Sequence, residues 1–147
     1  MSKLQKIGIG LFSLFLIIQI FHSDLTNPEY DIKNDFIVVE KPPVIVIDIL
    51  QNSCYDCHSN KTEYPWYANV APFSWWIIGH INEAREELNF SEWATYSVKR
   101  KKHKLKETIE EVEEGEMPLE SYTWMHDDAG LSDEQVKLLT DWVKTIQ

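Results

Sequence analysis

The chain is short of the residues that build several common kinds of site. Glycine is scarce, five in 147 residues, and none are spaced to cradle a phosphate in a Gly-rich loop. Positive charge is in deficit: 14 Lys and Arg stand against 24 Asp and Glu, a formal net charge of −10. Nucleic-acid binding needs a basic face, so it is excluded as a general activity. There is no internal repeat and no low-complexity tract. No Ser/His/Asp grouping and no paired acids stand out from the charged background. Cysteine is nearly absent. Only Cys54 and Cys57 occur, so there is no disulfide framework. A bridge between these two would be strained and would staple almost nothing.

What the two cysteines do make is Cys54-Tyr55-Asp56-Cys57-His58. It reads C-x-x-C-H, the attachment sequence of a c-type haem. Two thiols three positions apart can each add to one vinyl group of the same porphyrin. His58 then lies under the iron and can donate an imidazole nitrogen. A structural zinc site needs four ligands, and His22, His80, His103 and His126 are scattered. A redox C-x-x-C belongs in a βαβ pattern, and none is visible. The expectation is one haem c per chain, bound through Cys54 and Cys57, with His58 as a ligand of the iron.

The N-terminus reads as a targeting segment. Lys3 and Lys6 precede an apolar run from Ile7 to Phe21, and Asp24, Glu29 and Asp31 follow. Positive charge before the run places the N-terminus in the cytoplasm and the rest outside. The run's 15 residues fit a signal h-region, whereas a spanning helix wants about 20. No A-x-A-like cleavage site follows in Gln19-Ile20-Phe21-His22-Ser23-Asp24. Residues 1–22 are therefore read as a signal-anchor, with a cleaved signal peptide as the alternative. Export agrees with haem c, which bacteria attach after secretion. Residues 23–43 read as a tether, with Asn27-Pro28 and Pro42-Pro43; Phe36–Val39 is left as a short strand or a packing segment.

Residues 44–147 form the expected haem domain, all-α, with four helices wrapped on one covalent haem. Pro43 opens the first, in which Ile45, Ile49 and Leu50 fall at helical spacing; a strand over Val44–Ile47 stays open. Residues 60–67 read as a loop. Pro72 opens a helix over Phe73 to Leu88. Ser91 is read as the cap of a third, reaching Glu114 with Leu105, Ile109 and Val112 on one face and Gly115 as its stop. Its Lys99–Lys106 run reads as a solvated face with Lys106–Glu110 pairing, or as a basic patch for haem propionates or a partner. Ser132-Asp133-Glu134-Gln135 is a capping box for the last helix, with Val136, Leu139, Trp142, Val143 and Ile146 at helical spacing.

The second axial ligand is open to several residues. Met117 is the first candidate, because Met117-Pro118 sits in a loop after the Gly115 stop and before the terminal helix. A thioether there raises the potential relative to two histidines and suits electron transfer. Met125 and His126 come next. His80 lies mid-helix among apolar residues, where a lone histidine is more often a satisfied buried side chain.

Taken together, Asn52–Asn60, Thr62–Tyr67, Pro72–Trp76, His80, Leu88–Trp93, Met117–Leu119, Tyr122, His126 and Trp142 resemble the bacterial haem-binding domain family with a single C-x-x-C-H. The resemblance covers roughly residues 44–146. It implies covalent haem at Cys54 and Cys57, iron ligation by His58, a Met-Pro loop supplying Met117, and short exported or anchored proteins. One departure is Glu83-Ala84-Arg85, where the family often has Gly-Arg. The function expected is that of a membrane-tethered monohaem cytochrome on the periplasmic side of the inner membrane, an electron carrier rather than an enzyme. Its acidic surface suits a redox partner with a basic docking face. The alternative is a haem enzyme or a gas or redox sensor with an open or displaceable sixth iron position.

Overall fold

Runs of apolar residues at helical spacing, separated by Pro- and Asn-bearing turns, produce eight α-helices and no β-strand in the computed structural model, which describes residues 1–147. The helices are α1 (Lys3–Ile18), α2 (Phe36–Glu40), α3 (Val44–Ser53), α4 (Tyr55–His58), α5 (Phe73–Glu87), α6 (Val98–Glu113), α7 (Glu120–Thr123) and α8 (Asp133–Ile146). Three single 3-10 turns interrupt the connections, at Ile32–Asn34, Trp66–Asn69 and Phe90–Thr95.

The start and stop signals of the longer helices act as their chemistry requires. Ser132 and Gln135 close a reciprocal capping box at the start of α8. Gly115 ends α6 with φ at +76°, a left-handed conformation that costs glycine little. α5 begins after Pro72 and runs to Glu87, as its pattern predicts. Val44–Ile47 is helical, so the β-branched run there yields to packing: Val46, Ile49 and Leu50 are buried.

Two expectations need correction and a third is resolved. Ser97, not Ser91, caps α6 by accepting the Arg100 N–H at 3.2 Å; Ser91 lies in the Phe90–Thr95 turn, and its hydroxyl accepts the Asn60 N–H instead. Of the two readings of Phe36–Val39, the packing segment holds and the strand does not: the residues are helical, with Asp35 accepting the Ile37 N–H at 3.0 Å as the cap. The tether expected over 23–43 does not stay outside the domain. Phe36 is 2 % exposed and its ring meets Phe90, Trp93 and Trp142 at centroid distances of 5.0, 4.9 and 5.8 Å.

α1 holds the apolar N-terminal run, and none of its residues is buried. Its 16 residues reach ~24 Å at ~1.5 Å per residue, short of a ~30 Å hydrocarbon core. No helix of the chain is long and apolar enough to cross a membrane.

The core joins α2, α3, α6 and α8 through Phe36, Leu50, Trp93, Leu105, Leu139 and Val143. Leu139 is wholly buried and Leu138, beside it, is 39 % exposed. Truncation should separate them. Leu139→Ala is expected to cost about 2–5 kcal/mol, and Leu138→Ala about 0.5 kcal/mol or less, in urea denaturation of the haem-loaded protein. Equal losses would mean that α8 does not present this face to the core.

Candidate functional site

The two variable positions of Cys54-Tyr55-Asp56-Cys57-His58 anchor the motif. Tyr55 is buried, its ring stacked on Phe90 at 5.1 Å, and its hydroxyl donates to Asp35 Oδ1 at 2.9 Å. Lys61 Nζ lies 2.9 Å from the other Asp35 oxygen. Asp56 Oδ1 accepts the Glu63 N–H at 2.9 Å, and Oδ2 accepts the Tyr122 hydroxyl at 2.8 Å. With Tyr55 turned into the core, the two cysteines are left half-buried and free.

Burial pushes the Cys54 thiol up to about 12, with Cys57 adding to the shift. Burial and the neighbouring Asp56 push Cys57 up to about 11, with Arg85 opposing. A redox dithiol works through a lowered thiol pKa, so this environment is the reverse of what that chemistry needs. Nor does any group of three His, Cys, Asp or Glu side chains come together as a set that could hold a metal ion by itself.

His58 is fixed by the end of α5. Its Nδ1 lies 3.1 Å from the Ala84 carbonyl and 3.0 Å from the Leu88 carbonyl. Carbonyls only accept, so Nδ1 carries the proton and donates, and Nε2 is left with a free lone pair. Burial holds the imidazole pKa below its usual value, against the opposing pull of those two carbonyls. The ring therefore stays neutral at neutral pH, the form that ligates metal.

Two adjoining cavities open beside the motif. One, of about 310 Å³, is lined by Cys54 with Leu88, Phe90, Val112 and Leu131. The other, of about 360 Å³, is lined by Cys57 with His80, Ala84, Leu119 and Tyr122. Ser53, His58, Glu87, Met117 and Pro118 line both. The four residues singled out by the sequence, Cys54, Cys57, His58 and Met117, thus share one apolar depression.

The other ligand candidates, His80, Met125 and His126, line a smaller cavity of about 60 Å³ beside Cys57. His80 also lines the second large cavity, and its Nδ1–H donates to the Trp76 carbonyl at 2.9 Å. His126 stacks on Tyr122 at 4.1 Å and lines neither large cavity. Met125 also lies outside both, 58 % exposed. Most of the Lys99–Lys106 run is solvated, with Lys106 paired to Glu110 at 2.7 Å. Lys104 differs. Its side chain is 12 % exposed, held between Glu87 at 2.9 Å and Glu107 at 2.7 Å, and it is the one cation lining the first cavity.

Sequence reasoning missed the residues that hold the site from a distance. Arg85 donates to the Ser59 carbonyl, Asn27 Oδ1 and Thr62 Oγ1, each at 2.8 Å. Its signal was the Ala84-Arg85 pair one turn after His80. Asp35 had no signal, because it lay in the presumed tether. Tyr122 joins the segment after Met117 to the cysteine motif, and burial followed by the Asp56 hydrogen bond raises its hydroxyl pKa. Tyr122→Phe removes that bond alone and is expected to lower stability by about 1–2 kcal/mol in chemical denaturation. An unchanged midpoint would mean that the bond does not hold the loop.

No curated protein and no solved structure matches the chain. The family model described as a haem-binding domain matches residues 13–145, nearly the whole chain. With a neutral imidazole, two thiols and a thioether opening on one apolar depression inside that span, the chain belongs to the haem-binding domain family.

Proposed function

We propose that this chain is a monohaem c-type cytochrome, exported and held at a membrane, that carries electrons. The observation that carries the reading is the shared depression on which Cys54, Cys57, His58 and Met117 open. The residues present fit the group. The lining is largely apolar, as a flat macrocycle requires, and the donor set is one free imidazole nitrogen, two thiols and a thioether. Bound haem supplies an iron that changes oxidation state by one electron.

The work of the chain is to hold that group. Cys54 and Cys57 would hold it by thioether bonds, each S–H adding across one vinyl C=C. His58 would ligate the iron through Nε2, kept in that tautomer by the Ala84 and Leu88 carbonyls. Met117, in a half-buried loop beside Pro118, would ligate it through its sulfur. Lys104, the one cation lining the first cavity, would be the residue to meet a propionate. The net charge of −10 repels acidic proteins and steers a redox partner with a basic docking face, with an on-rate that falls as salt rises. The lysines before the apolar run favour an orientation with residues 23–147 on the periplasmic side of the inner membrane.

A second reading has one observation in its favour. His80 lines the second cavity with its Nδ1 proton already committed to Trp76, so Nε2 is free there as well. An iron left open on that side would suit a gas or redox sensor or a haem enzyme.

Two experiments decide. Wild-type protein co-expressed with haem-attachment machinery is expected to retain haem through denaturation, and Cys54→Ala/Cys57→Ala to lose it. Haem that washes out of the wild type would end the c-type reading. The visible spectrum of the wild type is expected to be low-spin and unmoved by carbon monoxide, while Met117→Ala becomes carbon-monoxide-sensitive and His80→Ala does not. A wild type that binds carbon monoxide rapidly would transfer the reading to the open-iron class.

A further inference from the structure

From Ile7 to Ile18, α1 is apolar on nearly every side, Ser13 being its one polar side chain, and none of its residues is buried. Leu4, Ile7, Leu11, Phe12 and Leu14 are all more than half exposed, at 80, 59, 63, 62 and 56 %. A helix that faces water carries its apolar residues on one stripe; one that is apolar all round belongs in a core or in lipid. The foot of α1 is nevertheless fixed. The Gln19 side-chain amide pairs with the backbone of Ala71 in both directions: Nε2 donates to the carbonyl and Oε1 accepts the N–H, each at 3.0 Å. The Trp75 indole N–H donates to the Phe21 carbonyl at 3.2 Å.

Exposed aromatics gather at that joint. Phe73, Trp75 and Trp76 occupy the first turn of α5 and are 60, 44 and 47 % exposed. The turn bearing Trp66, itself 77 % exposed, packs against α5. Large aromatic rings with a polar handle settle where a bilayer meets water. We propose that this face of the haem domain, from Trp66 to Trp76, rests in the interfacial layer of a lipid bilayer into which α1 inserts, with the Gln19–Ala71 and Trp75–Phe21 bonds holding the domain in a fixed attitude. The inference rests on the membrane association of the preceding reading and adds the surface and the joint.

Lipid is the occupant because of what α1 lacks. A protein partner is recognised through a register of polar and apolar positions, and α1 offers no such stripe between Ile7 and Ile18. Lipid asks for none. α1 is also too short to fill a ~30 Å hydrocarbon core alone, so aromatics at its foot add apolar contact that the helix cannot supply. The belt adjoins the haem site as well: Trp76 lies 4.6 Å from the His80 ring, and His80 lines the cavity on the Cys57 side.

The test uses the haem-loaded full chain in phosphatidylcholine vesicles containing a photoactivatable lipid, with adducts mapped by mass spectrometry. Adducts are expected on α1 and on residues 66–76, and none on α6. Gln19→Ala should lower the 66–76 adducts several-fold and leave those on α1. Adducts on α1 alone, unchanged by Gln19→Ala, would overturn the fixed attitude and leave a free tether. No adducts on either segment, with the haem spectrum intact, would overturn the lipid surface and the membrane association together while sparing the haem reading.

Discussion

His58 gives its Nδ1 proton to two carbonyls at the end of α5, and the rest of the site depends on it. The Leu88 carbonyl lies just past the last turn of α5, and the Ala84 carbonyl, which also accepts the Leu88 N–H at 2.9 Å, is shared between helix and imidazole. These two bonds hold the end of the short α4 against the end of α5. That contact settles the tautomer, which settles the free nitrogen and leaves the residue after Cys57 able to ligate a metal. Neighbouring bonds make the contact rigid. Arg85 ties Ser59 and Thr62 to α5, and Asn89 Nδ2 donates to Asn60 Oδ1 at 2.9 Å. The chain on both sides of the joint is thus bound across it. Ala84, where the family often carries glycine, serves here through its backbone, so its methyl group leaves the carbonyl's role untouched.

Behind the imidazole stands an aromatic wall. Phe90 meets the edge of His58 at 6.2 Å, stacks on Tyr55 and touches Phe36. Phe36 is held by α2, whose cap Asp35 is wholly buried and also receives the Tyr55 hydroxyl. Lys61 supplies the compensating charge, although Asp35 Oδ2 has no aligned hydrogen bond beyond that ion pair. A buried pair of this kind adds little net stability and is costly to break by halves. Its effect here is positional. One carboxyl group sets the start of α2, the rotamer of the tyrosine between the thiols, and the lysine of the loop that follows.

What was legible in the sequence was local. Ser132–Gln135 announces α8, Gly115 stops α6, and C-x-x-C-H points to haem, the group that names the family of this chain, because each acts over a few residues. What stayed hidden acts over long separations. Asp56 and Tyr122 are 66 positions apart and Gln19 and Ala71 are 52, and nothing in composition or spacing pairs them. Ser91 and Ser97 are both plausible caps by type. The choice fell to Ser97 because the Ser91 hydroxyl was drawn to Asn60 across the fold. Residues 36–39 stayed open between a strand and a packing segment for a related reason. Their β-branched pattern favours a strand locally, but one apolar ring had to reach Phe90 and Trp93, and a capped helical turn places it there.

Met117 owes its position to how α6 ends. Leu105, Ile109 and Val112 bind α6 to the core, which fixes the rotation of the helix. Gly115 then reverses the chain, and the Glu116 and Met117 N–H groups return to the Glu111 carbonyl at 2.9 and 3.1 Å. The reversal folds the loop back on the helix that bears Thr108, Glu111 and Val112 along the first cavity. Tyr122 fastens the far side of the same loop to Asp56, between the two cysteines. The thioether is thereby bracketed by two independent ties, one to α6 and one to the haem motif itself. Met117 also packs against the core, which the first tie alone would explain. The second tie couples the geometry of the Met117 loop to that of the cysteine motif that ends in His58.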